Sequence, residues 1–183
     1  MNLRNLRLPF ICGALVMSSL GAAPANAEDT VCKVVFAAMT KLATTPSHTF
    51  LTTIRGAQKS GGRLSESINT GASRYIQVNG KWMASPLTTK EMLAQEEENR
   101  RNSKELHCSY LRDEVIAGES TAVYVSHSKS EFAVSDARVW ISKRTGLPLK
   151  QEIDLSSDGQ QSATHYASRY VYDGIRAPDG VKP

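Results

Sequence analysis

The sequence predicts a mainly β, α+β fold: one strongly curved antiparallel sheet, or half-barrel, with two covering helices. Three observations carry this. From His48 onward the apolar residues recur mostly with a period of two, as in strands buried on one face. Turn signals separate these runs, and the strongest is Asn79-Gly80, a pair suited to the positive φ of a tight hairpin. Helical spacing is confined to two stretches, one ending before Pro46 and one near residues 88–104.

The chain of 183 residues opens with a stretch that reads as a cleavable export signal, residues 1–27. Arg4 and Arg7 supply its basic start, Leu8 to Leu20 an apolar stretch, and Ala25-Asn26-Ala27 a small-x-small cleavage site. The apolar stretch is too short to span a bilayer, which takes roughly 20 apolar residues. Cys12 follows Pro9-Phe10-Ile11 and lacks the small residue that precedes a lipidated cysteine. The expected product is a single domain, residues 28–183, exported, soluble and without a stable membrane anchor. The absence of an Asn-x-Ser/Thr sequon favours a bacterial periplasm.

Cleavage removes two of 22 basic residues and no acidic ones, so the net charge of +4 falls to +2. The basicity of the full chain therefore gives no argument for nucleic acid. One of three cysteines also leaves with the signal. Cys32 and Cys108 remain, and in an oxidising compartment they are expected to pair, two buried thiols being the alternative. Closing that 77-residue loop would stabilise the fold by roughly 4.5 kcal/mol in the chain-entropy limit.

In order along the chain, Asp29-Thr30 can cap a helix to about Leu42, with Val31, Val35, Met39 and Leu42 on one face. Pro46 stops it. Strands follow at 48–54, 63–69, 74–78 and 81–84, the last two flanking Asn79-Gly80. Thr88 and Glu91 form a possible capping box for a second helix to about Lys104. That helix is polar nearly all round, with Glu96–Arg100 and Glu97–Arg101 at i, i+4. Strands at 107–113, 121–128, 133–143, 147–155 and 163–172 complete a total of eight or nine. A sheet that wide must curl, and helices on its concave face would enclose an apolar cavity.

The stretch Arg138 to Glu152, with Trp140-Ile141 before the turn Thr145-Gly146-Leu147-Pro148, resembles a segment of the periplasmic lipoprotein-carrier superfamily, the LolA/LolB-like fold. Tyr75 to Trp82 is similar to the early hairpin of that superfamily. The resemblance implies a module binding a hydrophobic ligand or a peptide. Ser142 stands where many relatives have Asp, and the cysteine pair and the charged second helix mark an outlying member.

No catalytic constellation, cofactor or metal site is expected. His48, His107, His127 and His165 each stand alone. Gly118-Glu119-Ser120 lacks the second glycine of a nucleophile elbow. Asp113-Glu114 and Glu96 to Glu98 read as solvated. The expected function is a non-enzymatic, monomeric periplasmic binding or carrier protein for a lipid, acyl chain or lipoprotein. Its cavity would be lined by Trp82, Met83, Met92, Leu93, Tyr124, Trp140 and Tyr170. The alternative is a protein-interaction or sensing module that docks through the charged helix 88–104.

Overall fold

The computed structural model describes residues 27–56, 61–157 and 163–181, with side chains from residue 30 onward. The expected leader thus lies outside the described residues except for the backbone of Ala27. Helix α1 (Ala27–Thr44) is followed by β1 (Ser47–Arg55), β2 (Arg63–Asn69), β3 (Arg74–Val78) and β4 (Lys81–Ala84). Then come α2 (Thr89–Arg101), β5 (Glu105–Ile116), β6 (Glu119–Lys129), β7 (Ala133–Ser142), β8 (Pro148–Ser157) and β9 (Thr164–Val171).

The nine strands form one curved, open antiparallel sheet in the order β4-β3-β2-β1-β9-β8-β7-β6-β5. It is two meanders joined where β1 pairs with β9. The chain must therefore pass from one sheet edge, β4, to the other, β5. α2 lies in that connection and crosses the face on which α1 also rests.

α1 runs two residues beyond the expected Leu42. Pro46 bars the helical region only to its predecessor, Thr45, and the Thr44 and Thr45 hydroxyls donate back to the carbonyl oxygen of Lys41 at 3.1 and 2.7 Å. α2 begins as expected: Thr88 accepts from the Glu91 amide, and Glu91 accepts from the Thr88 amide at 2.8 Å. It ends at Arg101, where Asn102 closes the last turn onto Glu98 and Arg100.

Cross-strand register settles which side chains share a face. Val139 pairs with Tyr124 and Gln151, so Tyr124, Val139, Ile141 and Gln151 point toward the helices. There Val139 and Ile141 meet Val35 and Ala38 of α1, with Tyr124 packed against them. Burying each Val or Ile contributes roughly 1.5–3 kcal/mol. Cys32, on the same helical face, bonds Cys108 of β5, with Cα atoms 5.1 Å apart. Lys41 donates to the Thr145 carbonyl at 2.5 Å, fixing the other end of α1 to the β7–β8 turn. In that turn the hydroxyl of buried Ser142 accepts from the Thr145 amide at 3.0 Å and donates to Glu119 at 2.6 Å.

Candidate functional site

A cavity of about 250 Å³ lies between the two helices and the strands β1, β2, β3 and β9. Its roof is apolar: Phe36, Met39 and Leu42 from α1, Met92 and Leu93 from α2. Its floor is the helix-facing side of the sheet, where Ser47 and Thr49 of β1 stand opposite Asn69 and Ser67 of β2, with Arg74 of β3 and Tyr170 of β9 beside them. An alternating strand with small hydroxyl residues on its inward face cannot fill the space beneath a helix as Val and Ile do. The hydroxyls of Ser47, Thr49 and Ser67 have no hydrogen-bond partner among the described residues. Asn69 differs: its amide donates to the carbonyls of Ala43 and Thr45, both at 3.0 Å, and so ties the end of α1 to β2.

The roof over this half is light. α2 has no buried residue. Its Arg100 lies over the Phe36 ring at 4.7 Å and pairs with Glu97. The expected Glu96–Arg100 pair does not form, because Arg100 turns toward α1 and its i, i+3 neighbour, and Glu96 lines the cavity. Tyr170 is buried and donates to Gln151 at 2.9 Å. Burial pushes its phenol up to about 12.

Of the residues singled out in sequence, Met92, Leu93 and Tyr170 come together on this cavity. Trp82, Met83, Tyr124 and Trp140 lie outside it, for reasons of register and position. Trp82 pairs with Gln77 on the side of the sheet away from the helices, its ring centroid 6.1 Å from that of His48. Trp140 is on that same outer face, buried beneath Lys150 at 4.4 Å and donating its indole N–H to Glu114. Met83 is on an edge strand and 48% exposed. Tyr124 belongs to the packing under α1 and meets Tyr110 edge-on at 5.8 Å. Residues that sequence reasoning did not place at the site are Phe36, Met39, Ser47, Thr49, Ser67 and Arg74. Ser47 and Thr49 on alternate residues of β1 were a legible signal, but only pairing with β2 and β9 places them under α2.

Asp113 and Glu114 are paired as well as solvated. Asp113 accepts from Lys143 at 2.5 Å, and that bond, with a second from Tyr110, holds its carboxyl below the usual range. Glu114 is lowered by the Trp140 indole and then Arg112, and Glu119 by Ser142 and then Arg144. Ser120 sits at the start of β6, after the hairpin turn Ala117-Gly118.

Register also produces one arrangement that sequence spacing concealed. His107, His127, Asp136, Asp154 and His165 form a single row across β5 to β9 on the outer face. His127 donates to Asp136 at 2.7 Å and His165 to Asp154 at 2.8 Å. Among the described residues no three such side chains converge on a point that could hold a metal ion. Among them, too, no helix is long and apolar enough to cross a membrane.

No protein-family model and no curated protein sequence matches the chain. Among solved structures, it is similar to the Mycobacterium tuberculosis lipoprotein LppX, at 12% identity and a TM-score of 0.46, over 82% of this chain and 99% of that one. LprF from Mycobacterium bovis is similar at 7% identity and a TM-score of 0.43, over 82% and 97%. A domain assigned to outer membrane lipoprotein sorting from Vibrio parahaemolyticus is similar at 12% identity and a TM-score of 0.28, over 78% and 93%. At such identities and TM-scores the likeness assigns no role, and the chemistry of the cavity has to be read from this chain's own residues.

Proposed function

We propose that the protein is a non-enzymatic, exported binding or carrier protein that takes the apolar part of a lipid, acyl chain or lipoprotein into the cavity beneath α2. One observation carries this reading: apolar side chains of both helices stand over an unfilled section of sheet, and α2, which supplies part of that roof, buries none of its own residues. Such a helix can lift without breaking a packed core, which admits a ligand at small energetic cost. Met39, Met92 and Leu93 suit an apolar chain of loosely defined shape. In this reading Met92, Leu93 and Tyr170 are ligand contacts, whereas Trp82 serves the outer face.

The test is titration of the exported form with a fluorescent fatty acid. Leu93→Ala weakens binding several-fold and Trp82→Ala leaves it unchanged. Absence of binding by any amphiphile defeats the proposal. A second reading, docking of a protein through α2, draws support from the same lack of buried residues in that helix. It requires a partner whose affinity falls with salt and with charge reversal at Glu97 and Glu98.

A further inference from the structure

We infer that the cavity is built for an anionic amphiphile, with a carboxylate or phosphate head at Arg74 and the chain beneath α2. This rests on the cavity being a ligand site.

Arg74 opens β3 and is half-buried, facing the cavity from its place opposite Asn69. No hydrogen bond or ion pair engages its guanidinium among the described residues, although Glu96 lines the same cavity. Arg100, the other cation on the lining, differs in having both Glu97 and the Phe36 ring. Burial alone lowers the Arg74 pKa, with no carboxylate opposing the effect. A partly desolvated charge without a partner is a cost to the folded state, and a planar guanidinium is shaped for bidentate contact with carboxylate or phosphate. The partner it lacks within the chain is therefore of that chemistry.

Two further features agree. The unpartnered hydroxyls of Ser47, Thr49 and Ser67 lie on the same floor and offer donors to an anionic oxygen. Arg74 also lines a second groove, which adds the polar groups of Ser73, Ser85, Thr88 and Lys90 alongside Ala72, Ala84 and Leu87. The cavity's 250 Å³ accommodates a chain of roughly eight methylenes if each takes the ~30 Å³ of a water molecule.

The experiment is calorimetric titration of the exported form with decanoate, decyl phosphate, decyl maltoside, decyltrimethylammonium and inorganic phosphate, in wild type, Arg74→Met and Arg74→Lys. Decanoate and decyl phosphate are expected to bind more tightly than the ammonium compound, and inorganic phosphate only weakly. Arg74→Met is expected to weaken both anionic amphiphiles about tenfold or more and decyl maltoside less than twofold, and Arg74→Lys to retain part of the preference. Equal weakening of all head groups by Arg74→Met, or none for the anions, overturns the inference while leaving the cavity reading intact. Failure of every amphiphile to bind wild type removes the cavity reading itself. Inorganic phosphate binding as tightly as decyl phosphate overturns the role of the chain.

Discussion

The half of the sheet beneath α1 and the half beneath α2 are made of the same kind of strand, yet one is a packed core and the other a cavity. Under α1, Val139 and Ile141 meet Val35 and Ala38, and a disulfide holds the helix to the edge strand. Under α2, the inward side chains are Ser47, Thr49 and Ser67, and the helix contributes only Met92 and Leu93 before turning to charge. The inward side chains of the strands are large on the packed side and small on the cavity side. The size of a few side chains on alternate positions thus decides whether a curved sheet closes on its helix or leaves room for a guest.

The largest effect that would test this contrast is loss of the disulfide. Replacing Cys32 and Cys108 together by serine is expected to lower stability by about 2–5 kcal/mol, measured by urea unfolding. An unchanged midpoint would mean that α1 is held by packing alone. Next, Ile141→Ala should cost about 2–4 kcal/mol through the cavity it leaves, whereas Leu93→Ala should cost less than about 1 kcal/mol, because its site is already open on one side. Comparable losses at the two positions would dissolve the distinction between core and cavity.

A third measurement exploits the cavity floor. Tyr170 titrates at about 12 in the folded protein and near 10 when unfolded. The unfolded chain therefore releases its proton first. The contribution is intact below pH ~10 and declines as pH rises toward 12, by on the order of 2–3 kcal/mol. Tyr170→Phe should flatten that decline in alkaline unfolding. The smallest effect compares two hairpins. Asn79-Gly80 and Ala117-Gly118 both have positive φ at each residue, a conformation that Asn adopts at lower cost than Ala. Ala117→Asn should raise stability by about 0.5–1 kcal/mol, and Asn79→Ala should lower it by a similar amount, both read as thermal midpoints.

Much of this was legible before the structure. Local chemistry placed β2, β3 and β4 at their observed ends, because Gly61-Gly62, Gly71 and Asn79-Gly80 punctuate them. The Thr88–Glu91 capping box likewise placed the start of α2. The site was less legible. Trp82 and Trp140 look like cavity aromatics on composition, but parity is counted from a partner strand, and one residue of register moves a side chain through the sheet. Arg74 drew no notice, since an arginine at the start of a short strand looks ordinary until it proves to line a cavity without an ion-pair partner among the described residues.

What the sequence by itself determined is the series of elements and their covalent tie: two helices, eight or nine strands, and a cysteine pair able to join the first helix to the strand after the second. Each rests on interactions within a few residues, or on there being only two cysteines to pair. The tertiary structure alone decided that β1 and β9 meet, so that α2 must cross from edge to edge. It alone set the small hydroxyls of β1 and β2 and the unpaired Arg74 beneath that crossing. Those are non-local pairings, chosen by the packing of the whole sheet, and no window of the chain contains them.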